Sequence, residues 1–557
     1  VIVTIMLIPQ SLAYAMLAGL PPHVGLYASI LPLIAYALFG SSRTIAVGPV
    51  AVVSLMTAAA VGGLAQPGSE DYLVAAIALA VLSGLFLIIL GLARLGFLTH
   101  LLSHPVISGF ISASAVLIAA SQLGHLLGVP ARGHSLLETI ERLAGSIQGT
   151  HAPTIAIGVL AVTFLFWVRS RLHPRLTRLG SSERLAGHIA KAGPVMAVVV
   201  STAVVAWLEL ADGGVAVVGS IPGGLPDLSL PAFDAPLWAE LVLAAVLISI
   251  VGFVESVSVA QTLAAKRRER IDPNRELIAL GVANLASGAS GAYPVTGGFA
   301  RSVVNFDAGA RTPMAGIFTA LGIGVTAAFL TPLFEYLPKA VLAATIVVAV
   351  LSLVDLKAIA RTWRYSKSDF ASMAATIAIV LAVGVEAGIV TGVALSIVLF
   401  LWRTSRPHMA LVGQVPATEH FRNVDRHHVI QSDNVLSVRI DESLYFANAR
   451  QLEERIYNLA ASRPAVKHVV LMCPAVNLID ASALESLEAL ADRLHAAGVT
   501  LHLSEVKGPV MDRLERSDFF EHFGGRVFLS QYAAMLALDP GTTERADAGP
   551  VRALEAV

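Results

Sequence analysis

Up to about residue 405 the chain repeats one pattern, an apolar run, a short polar break and another apolar run. A helix needs about 20 apolar residues to cross the hydrocarbon of a bilayer. Runs at residues 1–18, 24–40, 73–93, 104–128, 153–170, 193–211, 238–264, 314–333, 338–355, 369–385 and 387–403 meet or approach that length. Three more, at roughly 45–63, 274–291 and 299–310, are shorter or interrupted. The pattern predicts about fourteen passes, some of them incomplete.

Loop charge supports the count, because Lys and Arg in short loops favour the cytoplasmic side. Arg169, Arg171, Arg175, Arg178, Arg184 and Lys191 fall between the sixth and seventh runs. Lys266, Arg267, Arg268 and Arg270 follow the eighth, Arg361, Arg364 and Lys367 the twelfth, and Arg403 and Arg406 the last. An even count puts all four groups on one side, and the 212–237 loop, which has no Lys or Arg, on the other. The expectation is a multi-pass protein of the inner (plasma) membrane with both termini cytoplasmic. Val1 sits inside an apolar run with no signal peptide before it, which predicts a preceding cytosolic segment.

The period then changes. Residues 435–440 alternate as a half-buried strand, 447–462 read as an amphipathic helix, 466–472 as a strand, 481–497 as a helix and 499–503 as a strand. Such alternation predicts a small α/β domain. The expected organisation is a transmembrane domain over 1–405, an aperiodic His-rich linker over 406–432, the α/β domain over 433–539 and a disordered tail over 540–557.

Composition agrees. The 557 residues are 55% hydrophobic and 14% charged, with mean hydropathy +0.73, where soluble domains carry about 25% charged residues. The single cysteine, Cys473, excludes an internal disulfide. There is no Walker loop, nucleophile elbow or metal-spaced His/Cys cluster, and His427–His428 read as solvated. An enzyme, a cofactor, a metal and a nucleic-acid partner are therefore not expected.

Candidate chemistry lies in two Gly/Pro-punctuated segments, Val47-Gly48-Pro49-Val50-Ala51 and Pro294-Val295-Thr296-Gly297-Gly298-Phe299-Ala300-Arg301. Each reads as an extended stretch entering a half-helix. Non-helical backbone at membrane depth survives only inside protein or beside a cavity, and paired interruptions mark transporter sites. Half-helix N-termini present free N–H groups and partial positive charge, so two of them favour an anion. Arg301 would add a full charge; its alternative place is at the lipid headgroups. Glu255, mid-run, could load and release a proton or only pin helices. Gln10 and Tyr14 are one helical turn apart and could donate to an anion or to a neighbouring helix. Asp480 and Ser482 could cap the helix that follows them.

These residues resemble a known family. Ile8-Pro9-Gln10-Ser11-Leu12-Ala13-Tyr14-Ala15, Leu17-Ala18-Gly19-Leu20-Pro21-Pro22 and Gly25-Leu26-Tyr27 are similar to the signature of the SulP (sulfate permease) family. Val47–Ala51 and Pro294–Gly298 with Arg301-Ser302 resemble its half-helix motifs. The C-terminal part resembles a STAS domain, the fold of anti-sigma-factor antagonists. The likeness covers residues 1 to about 537.

It implies two inverted seven-segment repeats with a uracil-permease-like core and gate, and an elevator motion. It places the anion between the third and tenth helices, at Gln10, Tyr14, Gly48, Val50, Ala51, Gly298, Phe299, Ala300 and Arg301, and makes Glu255 the proton-coupling carboxylate. It implies a homodimer, a cytosolic partner for the STAS domain, and phosphorylation of Ser482, which stands in Asp480-Ala481-Ser482-Ala483. Two departures stand out. Gly298 and Ala300 occupy positions where relatives often carry serines, and Val259, one turn after Glu255, lacks the hydroxyl of a sodium site. The expected activity is proton-coupled secondary transport of sulfate. The alternatives are bicarbonate, chloride or C4-dicarboxylate transport or exchange, and a passive anion channel regulated by the STAS domain.

Overall fold

The structure, a computed structural model, describes residues 2–100, 103–129, 133, 135–180, 182, 186–187, 189–190, 192–228 and 234–549. Arg184 and Lys191 of the basic sixth loop lie outside them. The chain divides into two compact units, Val1–Ser396 and Ile397–Val557, a boundary inside the last apolar helix rather than at residue 405.

The first unit carries fourteen segments along the described residues. They are α1 (Ile2–Leu17), α2 (Pro22–Phe39), α3 (Ala51–Gly62), α4 (Glu70–Leu92), α5 (His104–Leu127), α6 (Ala152–Arg178), α7 (Gly193–Trp207), α8 (Ala235–Lys266), α9 (Pro273–Ala289), α10 (Phe299–Asp307), α11 (Met314–Phe334), α12 (Lys339–Leu351), α13 (Lys367–Ala382) and α14 (Val385–Thr404). Among the described residues, eight stretches are long and apolar enough to cross a membrane: α2, α4, α5, α6, α8, α11, α14, and α12 taken together with the short helix that follows it to Tyr365. At 1.5 Å per residue, α3 and α10 reach only about 18 and 14 Å, roughly half of a 30 Å hydrocarbon layer.

Packing sorts the helices into two groups. Helix α9 lies on α4 and α2, α8 on α4 and α3, and α11 on α2. In the other group α12 lies on α5 and α6, and α13 on α5. Helix α1 touches both, meeting α3 and α10 as well as α12. The run at 274–291, expected to be shorter or interrupted, is shorter: an unbroken helix of 17 residues. Asp272 caps it by accepting from the Asn274 and Arg275 amides, and Pro273 fills the first turn. Its glycines serve contact instead: a Cβ on Gly281 would fall 2.7 Å from the Gly84 carbonyl oxygen of α4, and one on Gly84 2.8 Å from that of Gly281.

Hydrogen bonds between loops test the parity of the count. After odd segments, Val218 donates to Leu337 and Lys339 to Ala216, which joins the α7–α8 and α11–α12 connections. After even segments, Arg43 pairs with Glu269 at 3.1 Å, and Arg267 donates to the Phe306 and Ala310 carbonyls at the end of α10. Odd connections thus gather with odd, and even with even.

The second unit has a six-stranded sheet built from β3 (Met409–Gln414), β4 (Phe421–Asn423), β5 (Val435–Ile440), β6 (His468–Met472), β7 (Thr500–Ser504) and β8 (Val527–Phe528), in the order β4-β3-β5-β6-β7-β8; β1 and β2 belong to the site below. Strands β5 to β8 are parallel, and β3 is antiparallel to β4 and β5. Helices α15 (Ala449–Ala461) and α16 (Ala481–Ala496) carry the apolar faces that close the core. Two boundaries are corrected. The 406–432 stretch is no linker, since β3 and β4 extend the sheet and Gln414 exchanges backbone hydrogen bonds with Ile430. Residues 540–547 form a helix, Pro540–Asp547, capped by Asp539; its Asp547 accepts from Gln414 at 2.8 Å. The expected tail beyond 549 lies outside the described residues.

Candidate functional site

Two short strands meet in the middle of the first unit. β1 (Val47–Gly48) and β2 (Thr296–Gly297) pair antiparallel, with Val47 opposite Gly297 and Gly48 opposite Thr296. Each leads directly into a half-helix, α3 or α10. Gly48 has φ +150°, a conformation that side-chain-bearing residues rarely adopt, so glycine is required where the chain turns toward Pro49.

The N-cap positions are Val50 and Gly298, and neither offers a side-chain acceptor. The first-turn N–H groups of both half-helices are thus left without a side-chain cap, and an anion would find these donors unoccupied by the residues that usually fill them.

The leads are held by polar side chains from three helices. Asn284 of α9 donates to the Val295 carbonyl at 2.9 Å and accepts from the Val295 amide at 2.9 Å. Thr296 donates to the Gly252 carbonyl at 2.7 Å, and Ser256 accepts from the Gly297 amide at 2.8 Å, both partners being on α8. Ser302 of α10 accepts from the Ala46 amide, and Asn305 donates to the Thr44 carbonyl. Farther back, the fully buried Glu276 carboxylate accepts from Tyr36 (2.7 Å), the Ser41 amide and hydroxyl (2.8 and 2.6 Å) and the Ser42 amide (2.9 Å). Helix α9 therefore braces both leads, one through Glu276 and the other through Asn284.

Arg301 is the charged centre. It is 2% exposed, and its Nη1 donates to the Pro49 carbonyl at 2.5 Å. Its Nε and Nη2 are buried and have no hydrogen-bond partner among the described residues. This overturns the headgroup alternative for Arg301. A Cβ at Gly298 would lie 2.8 Å from Nη2 and 3.0 Å from Nε, and one at Gly48 3.5 Å from Nη1. The missing side chains at these glycines leave room for the guanidinium between the two leads.

Arg301 opens on a cavity of about 60 Å³ shared with Gln10, Tyr14, Val50, Ala51, Gly298, Phe299 and Glu255, and walled by Ala349, Val350 and Leu353 of α12 and its end. A water needs about 10–15 Å³ on that measure, so several waters or one small oxyanion fit. The sequence-derived residues therefore meet here, with two qualifications of place: Gly48 contacts the guanidinium side rather than the cavity wall, and Phe299 is 48% exposed. Ala300 shares the first turn of α10, but its side chain lies outside the described residues. Ser482 is in the other unit, exposed in the first turn of α16, where Asp480 is the cap and accepts from the Ala483 amide at 2.9 Å.

Sequence reading missed Glu276, Asn284, Ser256 and Thr296. The available signal was a carboxylate and an amide placed eight residues apart, Glu276 and Asn284, with only apolar residues between them.

The family model described as Sulfate permease family matches residues 1–376, and that of the STAS domain residues 428–534. The chain is 36% identical over 539 residues to Sulfate transporter 4.1, chloroplastic, of Arabidopsis thaliana, across 94% of this chain and 77% of that protein. It is 33% identical over 534 residues to a probable sulfate transporter of Mycobacterium tuberculosis, across 95% and 92%. Among solved structures, murine Solute Carrier 26 family member A9, an anion transporter in the inward-facing state, aligns with TM-score 0.86 at 23% identity, over 97% of this chain and 90% of that one. The transmembrane domain of a cyanobacterium bicarbonate transporter, BicA, aligns with TM-score 0.59 at 22% identity, over 71% and 94%. At these identities the structural likeness speaks for the fold.

Proposed function

Because this chain belongs to the sulfate permease family and carries a STAS domain, we propose that it is a secondary active transporter of small inorganic anions, with sulfate as substrate and protons as the coupled ion. The observation that carries this reading is Arg301, a guanidinium buried to 2% exposure with Nε and Nη2 unpartnered among the described residues, set between two half-helices whose N-caps supply no acceptor. A planar guanidinium edge suits two oxygens of one oxyanion, and first-turn N–H groups suit the others. The names of the curated relatives point to sulfate.

Glu255 lines the same cavity. Two like charges about 4 Å apart cost roughly 4 kcal/mol at an effective dielectric of 20, about a thousandfold in affinity. An anion therefore loads readily only when Glu255 carries a proton, and the two travel together. The braced unit of β1, β2, α3 and α10 moves against the wall formed by α12, as an elevator. The protein works as a homodimer in the inner (plasma) membrane with both termini cytoplasmic.

The test is uptake of labelled sulfate, bicarbonate and fumarate into proteoliposomes, with and without an inward proton gradient. Sulfate uptake driven by the gradient and lost in Arg301→Ala is expected. Glu255→Gln should lose concentrative uptake while keeping exchange. Uptake indifferent to the gradient for every anion would remove Glu255 from the mechanism and leave exchange or a channel.

A further inference from the structure

Between α12 and α13 lies a ten-residue helix, Leu356–Tyr365, that the transport reading does not use. At 100° per residue, Lys357, Arg361 and Arg364 fall in one stripe about 60° wide. Leu356, Ala360 and Trp363 fall in a second stripe of similar width beside it. The third face turns inward, with Ala358 buried and Thr362 half-buried. Leu356 is 71% and Trp363 51% exposed, and the three basic side chains are exposed too. None of the three basic side chains has an ion-pair or hydrogen-bond partner among the described residues.

Both ends of the helix are fixed. Asp355 caps it by accepting from the Ala358 amide at 2.8 Å, and the Asp355 amide donates to Ser112 of α5 at 3.2 Å. Ser366 caps the helix that follows. Trp363 is held under the Lys367 ammonium, 3.3 Å from its ring centre, and edge-on to Phe370 at 4.7 Å.

We propose that this helix binds anionic phospholipid at the membrane surface, with Lys357, Arg361 and Arg364 on the headgroups and Leu356 and Trp363 among the acyl chains. A basic stripe alone would suit any polyanion. The exposed apolar stripe beside it selects a bilayer, because adjacent basic and apolar faces match the headgroup boundary. Its place between two membrane helices holds it at that depth. The same stretch begins just after Leu353, which walls the anion cavity, so lipid attachment fixes the wall against which the anion site works.

The test reads binding, not transport, so failure of the transport proposal leaves it standing. Trp363 fluorescence, taken as the difference from Trp363→Phe, is measured in phosphatidylcholine vesicles with phosphatidylglycerol as the minor lipid, bromine being carried by one lipid or the other. Each basic residue near an anionic surface enriches such lipid by up to about fivefold. The bromophosphatidylglycerol should therefore quench several-fold more per molecule than the bromophosphatidylcholine. The K357Q/R361Q/R364Q variant should equalise the two, and raised salt should weaken the preference. Equal quenching by both lipids in the unaltered protein would overturn the headgroup assignment. Absence of quenching by either would overturn the placement in the bilayer surface.

Discussion

Two kinds of helix N-terminus in this protein solve the same problem in opposite ways. In the C-terminal unit, α16 starts at Asp480, whose carboxylate accepts from the Ala483 amide at 2.9 Å and from Phe446 at 2.9 Å. In the membrane unit, α3 and α10 start at Val50 and Gly298, which have no side-chain acceptor to offer the first-turn amides. A cap satisfies the first-turn donors and stabilises the helix. Withholding the cap leaves those donors for a ligand, and the cost of leaving them is offset by bracing from Asn284, Ser256 and Ser302. The same elementary geometry thus yields a structural joint in one unit and a binding site in the other.

The strongest way to break the contrast is to give the membrane site the cap it lacks. Gly298→Asp places a carboxylate as N-cap of α10 and against the Arg301 guanidinium, and sulfate uptake should fall by about 100-fold or more. Gly298→Asn, with the same shape and no charge, should retain part of it; equal loss in both would mean that crowding, not charge, is responsible. Next in size is the brace. Asn284→Ala leaves the buried Val295 amide and carbonyl unpaired, a penalty of about 1–3 kcal/mol. It should appear as a KM for sulfate raised roughly tenfold (about 1.4 kcal/mol), and an unchanged KM would remove Asn284 from site positioning.

Asp480→Ala removes the cap of the other kind. It should cost about 1 kcal/mol in urea unfolding of the C-terminal unit and leave the KM for sulfate as it was. The smallest effect expected is a pH dependence confined to that unit. Burial, then the neighbouring His468 and Arg526, hold His502 down to about 4, against roughly 6.5 for an unfolded histidine. As pH falls from about 6.5 towards 4 the unfolded chain takes up the proton first. The urea midpoint of the unit should therefore decline through that window and stay level above it, and His502→Gln should flatten the slope.

Much of this was legible in the sequence, for identifiable reasons. Membrane runs are long and one-dimensional, so their count and the parity of basic loops could be read directly. The broken helices were visible because Gly48, Pro49, Pro294 and Gly297 interrupt apolar runs. What escaped depended on partners far away in the chain. Glu276 is explained only by Tyr36, Ser41 and Ser42, more than two hundred residues earlier. Gly281 is explained only by its close approach to Gly84, nearly two hundred residues earlier. Strand β3 is a short apolar run without alternation at the head of a mostly polar stretch, and it becomes a strand by pairing with β4 and β5.

The two-residue pairing of β1 with β2 has a consequence for how this chain can vary. Irregular segments are usually where insertions are tolerated. Here one added residue ahead of Val50 or Gly298 would slip a register fixed at only two positions, Val47 with Gly297 and Gly48 with Thr296. It would also turn the following half-helix by about 100°, carrying its first N–H groups off the cavity. Outside the glycines that the turn and the guanidinium require, substitutions along these leads can be sampled one by one, but their length cannot drift, so the least regular stretches of the membrane unit are the ones whose spacing is most tightly bound.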